Sequence, residues 1–400
     1  MKTISNVKLL IDLGMQPISS RYLQNPAEKE ELFPFKLGQC QETGLIQLID
    51  PVPYKELVPR FDWLTNYEPE GHLDSLVDKI SKLLFKKEDS IIAGISTKDV
   101  SMLERFERLG FHTWKIDSIR DLKLEKNVGI ESIQAELNIG KSKKIVDRND
   151  KADLLVARHI WEHAYNQEIF SEALKELITE DGYIYIEVTF YSNFIDNFDY
   201  TMPWEEHLHY YTPFTFKQSL LYHGFEVHDL EVIPFPYKKG DFWHDASMFA
   251  LVRKQGSIHV KNVIGINELE EAIQNGDRYA RKYRSQKKMI VEKLNQENRK
   301  REIILFGAGH SSSAFINHFS LGGLIECLID ENKYKQGLFM PKSGLPIVHS
   351  QKLYEHKSAL CLLAVSPIHE EKILSKHKRF MQEGGEFRSI CPWSKYSIYR

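Results

Sequence analysis

The sequence predicts a doubly wound α/β protein, with a second and smaller α/β unit behind it and a small lobe in front. Three observations predict this. Short β-rich runs alternate with amphipathic helical runs between residues 77 and 253; strand, glycine turn and helix recur at EIILFGAGHSSSAFINHF (302–319); and the stretch from Asn267 to Arg301 between them holds little but helix formers. Repeated β–α alternation makes a largely parallel sheet with helices on both faces.

Taken in order, the first 75 residues carry one strand-like alternation, FPFKLGQCQETGLIQLI (33–49), and a proline-bearing loop, NYEPEGH (66–72). They predict a lobe packed on the first α/β domain. DSIIAGIS (89–96) reads as a buried strand, VSMLERFERLG (100–110) as a helix stopped by glycine, and HTWKID (112–117) as the next strand. ADLLVARHI (152–160) and DGYIYIEVTF (181–190) are further strands, separated by the helix NQEIFSEALKELI (166–178). After the helix TPFTFKQSLLYHG (212–224), the pair FEVHDLEVIPF and DASMFALVRK predicts an antiparallel edge. Asn267 is placed to cap the following helix, with Glu270 as capping-box partner. Residues 278–301 hold ten Lys and Arg against two Glu, which predicts a solvated linker helix. LIECLIDENKYKQG (324–337) and SALCLLAVS (358–366) complete the second α/β unit. The expected divisions are 1–76, 77–255, 256–301 and 302–400.

Four hundred residues with 42% hydrophobic and 12% aromatic side chains suit two or three well-filled cores. The formal charge of −3, from 53 basic and 56 acidic side chains, supplies no overall field for nucleic acid or an acidic membrane. The four cysteines, Cys40, Cys327, Cys361 and Cys391, are widely spaced and predict no disulfide framework. The opening MKTISNVKLLIDLGM has only a short apolar run, and no uncharged stretch of about 18 residues occurs. These features predict a cytoplasmic protein, with neither nucleic-acid nor membrane partner; a homo-oligomer is compatible with them.

In a doubly wound sheet, ligands bind beyond the carboxyl ends of the strands. Three features fall there. Gly94 and Ser96 turn the chain into a helix whose N–H groups face the cleft. Asp117 follows 23 residues after Gly94, where a carboxylate can hold a ribose or cap a helix. ARHIWEHAYN (157–166) brings Arg158, His159, Glu162 and His163 off the fourth strand of the pattern. Glycine turn, acidic strand end and polar strand exit together are the layout of a class I S-adenosylmethionine site. The segment PWEEHLHYY (203–211) then overhangs the reactive end of that site. It packs Glu205, Glu206, His207 and His209 among aromatic rings. A histidine there can take a proton near neutral pH, with a carboxylate to orient its ring. In the second unit, Asp330 stands 23 residues after Gly307, a weaker nucleotide signature with only two of three glycines.

These residues resemble the sugar C-methyltransferases that act on nucleotide-activated keto-deoxysugars. ADLLVARHIWEHAYN and DGYIYIEVTF look like the family's strand-four and strand-five segments, and EEHLHYYTP looks like its His-Glu-His-Leu-x-Tyr-Phe motif. FGAGHSSSAFINH, LIDENKYKQGLFMP and GLPIV look like its C-terminal domain. The resemblance implies a class I methyltransferase fold with a Rossmann-like substrate-binding domain, S-adenosylmethionine as cofactor and a nucleotide-linked sugar as substrate. It implies His207 as general base, Glu206 as its orienting carboxylate and His163 as support for the enolate oxygen. It places cofactor contacts at Gly94, Ser96, Asp117, Arg158 and His159, and substrate contacts at Tyr67, Trp204, His244, Gly307, His310 and Lys335. The family's lobe binds zinc through paired cysteines; here Cys40 is unaccompanied and Thr43 replaces its neighbour, so no metal is expected. AGISTKD, at the family's acidic and glycine-rich cofactor loop, leaves a second reading open: a binding protein on a methyltransferase fold that has lost or altered its catalysis. A nicotinamide enzyme using GAGHSS is a third.

Overall fold

The computed structural model describes residues 6–64, 70–84, 89–126, 128–234, 247–256 and 265–400. Tyr67 and His244 lie outside them. Ten strands precede one long helix: β1 (Val7–Gln16), β2 (Phe33–Cys40), β3 (Ile46–Ile49), β4 (Ile91–Gly94), β5 (His112–Lys115), β6 (Ala152–Arg158), β7 (Ile178–Thr189), β8 (His209–Tyr210), β9 (Phe225–Ile233) and β10 (Ser247–Lys254). Five follow it: β11 (Ile303–Phe306), β12 (Leu328–Ile329), β13 (Ile347–Val348), β14 (Leu360–Leu363) and β15 (Glu386–Ser389).

The middle domain is a six-stranded sheet in the order β5-β4-β6-β7-β10-β9. The first four strands are parallel, and β10 is antiparallel to both of its neighbours. The closing pair makes the expected antiparallel edge, with the reversed strand β10 one place in and the edge strand β9 running with the parallel set. Residues of β4, β6 and β7 are buried on both faces, divided between two apolar clusters. Helix ends follow local chemistry. The helix Val100–Arg108 gives way to Gly110 at φ +92°, and Pro213–Tyr222 starts from a Thr212 capping box with proline in its first turn.

The lobe is an antiparallel sheet ordered β1-β2-β3-β8, and β8 belongs to the PWEEHLHYY segment. Ile46 pairs with Tyr210 and Gln47 with His209, so the lobe fixes the loop that overhangs the middle domain. The third sheet is wholly parallel, ordered β13-β12-β11-β14-β15. One apolar cluster runs from Ile11, Tyr22 and Phe35 of the lobe through the long helix to Leu305 and Phe315. The lobe thus shares its core with the C-terminal domain, beyond its expected seat on the middle one.

The helix Ile266–Asn298 departs from the solvated linker that its charges predict. Its N-cap is Gly265, two residues before the expected Asn267 and with no side-chain cap bond, so Asn267 and Glu270 form no capping box. Gly276, Tyr279, Tyr283, Gln286, Ile290 and Leu294 form a buried stripe at spacings of three and four. Its tyrosines are anchored at both ends: Tyr279 donates to the Asp199 carbonyl and Tyr283 to that of His318, each at 2.7 Å. No helix among the described residues is long and apolar enough to cross a membrane.

Candidate active site

The six-stranded sheet changes winding direction between β4 and β6, so its crevice opens at their carboxyl ends. Gly94 ends β4 against Leu103, whose Cδ1 would stand 2.8 Å from a Cβ at that position. Ser96 caps the short helix Thr97–Asp99. Asp99 Oδ2 accepts the N–H groups of Ile95 and Ser96 at 2.8 and 2.7 Å, and Oδ1 accepts that of Arg158 at 2.9 Å. Burial pushes the Asp99 carboxyl up to about 6 in spite of those bonds. The turn therefore closes on its own side chains. Asp117 is exposed beyond the end of β5, and its Oδ1 accepts from Ile119 and Arg120, the turn-capping alternative.

Behind the crevice lies a buried ionic network. Arg158 Nε donates to Glu187 Oε2 at 2.7 Å, and Nη1 donates to the Lys98 carbonyl at 2.8 Å. Glu187 also accepts from Ser247 and Tyr185, and His72 Nε2 lies 2.9 Å from its other oxygen. Burial favours the neutral acid, but His159, His72 and the Arg158 charge together hold Glu187 well below the usual carboxylate range. His159, 3.6 Å from Glu187, takes φ +48°, a conformation that a non-glycine residue adopts at a cost. Arg158 Nη2 is buried with no hydrogen-bond partner.

The PWEEHLHYY segment crosses over this edge. His207 is buried, with its ring 4.5 Å from that of His163 and 5.0 Å from that of Trp204. Burial first, then the neighbouring His163, drives its pKa well below the ordinary imidazole value, so the ring is neutral at pH 7. Its Nδ1 is hydrogen-bonded to the Tyr191 hydroxyl, and Nε2 takes no part in that bond. Glu206 does not fill the orienting role expected of it. No hydrogen bond joins it to His207, and burial together with Glu131 and Glu205 pushes its carboxyl well above the usual range. Glu205 turns the other way, accepting Ser19 N–H at 2.5 Å and its hydroxyl at 2.7 Å. His209 stacks on Tyr211, and burial lowers it to about 4. His163 Nδ1 stands 2.9 Å from Glu131 Oε1.

The C-terminal domain reaches the same place. His310 opens the helix after β11, its ring 5.1 Å from Trp204 and its Nδ1 3.3 Å from Ser19 Oγ. Gly307 has φ +102° and no room for a side chain, since a Cβ would meet the Ala364 carbonyl at 2.6 Å. Asp330 is drawn inward to accept the Ala308 N–H at 2.9 Å, while Lys335 donates to the Ala308 carbonyl at 2.8 Å. This carboxylate is spent on its own loop, which argues against a nicotinamide ribose there. Trp204, His207, His163 and His310 are thus brought together. Gly94, Ser96, Arg158 and His159 lie at or just beyond the carboxyl ends of β4 and β6, and Gly307 follows β11. Tyr191, Glu131, Glu187 and Ser19 had no motif to announce them.

Three family models match the chain in order. Residues 4–57 match a putative zinc binding domain, 73–230 a methyltransferase domain, and 253–392 a C-methyltransferase C-terminal domain. The chain is a methyltransferase. A curated relative, the C-methyltransferase NovU of Streptomyces niveus, is 21% identical over 393 residues, 94% of this chain and 91% of its own. Among solved structures, the Burkholderia thailandensis 1,6-didemethyltoxoflavin-N1-methyltransferase is 12% identical, covering 52% of this chain and 96% of that one, with a TM-score of 0.35. The glycopeptide N-methyltransferase MtfA is 8% identical over 45% of this chain and 87% of its own, with a TM-score of 0.27.

The residues present fit one implied group and not the other. In the methyltransferase domain, Arg158 Nη2, which has no hydrogen-bond partner among the described residues, is the kind of donor that a ligand carboxylate takes, and Glu70 beside it suits an ammonium. That pairing fits the amino-acid end of S-adenosylmethionine. In the lobe, Cys40 is a buried free thiol and Thr43 supplies no thiolate, so a four-cysteine zinc site does not fit. The turn is closed instead by the Gln39 amide, which donates to the carbonyls of Gly44 and Ala272.

Proposed function

We propose that this methyltransferase transfers a methyl group from S-adenosylmethionine to a carbon beside the keto group of a nucleotide-activated sugar. His207 is the general base. The observation that carries the reading is the seat of His207: buried at the carboxyl edge of the methyltransferase sheet, its pKa held well below the ordinary imidazole value by that burial, its Nδ1 occupied by Tyr191 and its ring packed against those of His163 and Trp204, with His310 against Trp204. Bound at the crevice, the cofactor supplies an electrophilic methyl group on sulfur.

The protein's own residues do the rest. For Nε2 to accept a proton, Nδ1 must carry the hydrogen and donate it to the Tyr191 oxygen, a direction that a hydroxyl accommodates. His163, steadied beside Glu131, donates to the oxygen on which charge develops. Trp204 and His310 close the cavity against water, and Gly307, His310 and Lys335 hold the nucleotide side of the acceptor. Arg158 and His159 orient the donor's amino-acid end. Support for a sugar acceptor is the C-terminal domain match and the distant NovU relative.

The test is a panel of nucleotide-linked keto-deoxysugars incubated with labelled methyl donor. Label should enter carbon in at least one. Calorimetry with S-adenosylhomocysteine addresses the rival binding-protein reading, and absence of binding at millimolar ligand sinks the methyltransferase reading.

A further inference from the structure

Two imidazoles and a carboxylate converge where the reaction needs only one base. Glu162, His163 and His207 each present a ligand atom, all within 4.8 Å of one another. The three come from two segments, the turn after β6 and the loop before β8. Glu162 and His207 are hydrogen-bonded by other groups, and His163 lies beside a carboxylate. Thr189 N–H donates to Glu162 Oε1 at 3.1 Å, Glu131 stands 2.9 Å from His163 Nδ1, and Tyr191 holds His207 Nδ1. That leaves Nε2 of His207 and Oε2 of Glu162. The Glu162 oxygen belongs to a fully buried side chain and has no hydrogen-bond partner among the described residues.

A buried carboxylate oxygen without a partner costs free energy that a cation recovers. Two histidines and one glutamate with an open fourth position form a recurrent set for catalytic zinc, and outer groups that pin each ligand are the usual company of such sites. Bonds of about 2.0–2.2 Å put ligand atoms roughly 3.3 Å apart around a tetrahedral ion. The side chains must therefore close by up to about 1.5 Å, within reach of small torsional changes in Glu162 and His207.

We propose that Glu162, His163 and His207 bind one late first-row divalent cation of the Zn2+ type, in competition with the proton that His207 takes. Imidazole and carboxylate suit such ions and not Mg2+ or Ca2+, which prefer all-oxygen shells. The binding stands on geometry alone, whereas the competition rests on the proposed role of His207.

The metal-free full-length protein is titrated with Co2+, followed by its visible absorption bands, and with Zn2+ by calorimetry. One equivalent should bind, with affinity falling at least tenfold in both Glu162→Gln and His163→Ala; circular dichroism verifies that each variant is folded. Absence of binding in the parent, or equal binding in folded variants, overturns the site. If one variant fails to fold, the other decides, together with the loss of free-imidazole signals in 15N-histidine spectra of the parent on adding Zn2+. In the methyl-transfer assay, Zn2+ should inhibit and a chelator should restore the rate. Zn2+ bound without inhibition overturns the competition and leaves the site standing. A protein without any methyl transfer removes the catalytic reading, while the Co2+ titration still decides the site.

Discussion

Gly276→Ala tests how the lobe is held on the long helix. A Cβ at 276 would lie 2.4 Å from Gln39 Oε1 and 2.6 Å from both Cδ and Nε2. Gln39 is fully buried and cannot swing aside cheaply, because its amide donates at 2.9 Å to Gly44 and at 2.8 Å to Ala272 on the helix. Losing both bonds costs about 1 kcal/mol each, and forcing a carbon into a filled site costs a further 1–3 kcal/mol or so. Against this, alanine is favoured over glycine inside a helix by about 1 kcal/mol. The net expectation is a destabilisation of roughly 2–4 kcal/mol, read from the midpoint and slope of urea unfolding. Gln39→Ala in the same background should remove the clash, so the double variant is less damaged than the two effects added. Stabilisation by Gly276→Ala, or simple additivity, refutes Gln39 as the strut that closes this turn of the lobe.

Three further outcomes are expected. Tyr191→Phe leaves His207 Nδ1 without its partner; kcat should fall roughly tenfold to a hundredfold with unchanged S-adenosylhomocysteine affinity, and an unchanged pH–rate profile would mean that the hydroxyl does not set the tautomer. Arg158→Met strands the buried Glu187 carboxylate and should cost about 3–5 kcal/mol in chemical unfolding; a loss under 1 kcal/mol or so contradicts the network. His318 is buried and held down to about 4 by that burial. The unfolded ring, near 6.5, takes a proton that the folded one refuses, so its contribution to stability is complete above pH 6.5 and is lost as pH falls from there to about 4. The slope is about 1.4 kcal/mol per pH unit. Urea unfolding at pH 7 and pH 5 should show a smaller acid loss in His318→Gln than in the parent.

How far the sequence discloses this molecule depends on the length of each pattern. Strands β4, β6 and β7 are continuous apolar runs between turn residues, so their existence and order are legible. The position of β10 is not, because a hairpin-like pair identifies two antiparallel neighbours without saying which lies at the edge. β8 has two residues and no periodicity, yet it is the stitch that ties the histidine loop to the lobe. The buried stripe of the long helix was hidden because its contacts are made by tyrosine rings and hydroxyls, while ten basic residues dominate the composition there. In the site, His163 and His207 stand out as motif residues and do meet. Tyr191 displaces Glu206 as the partner of His207, since local sequence favours the adjacent carboxylate while the loop's path brings in a residue sixteen positions away. Glu187 is a lone carboxylate near the end of the apolar run of β7; only the assembled sheet shows that it is fully buried and paired with Arg158.

The most direct measurement is methyl transfer by the parent and by His207→Ala, run beside S-adenosylhomocysteine calorimetry on the same preparations. The account predicts that the parent labels carbon in a nucleotide-linked keto sugar, and that the variant loses turnover at least a thousandfold, about 4 kcal/mol of barrier, while binding the cofactor product within a few fold of the parent. A His207→Ala protein that still turns over at the parental rate contradicts it.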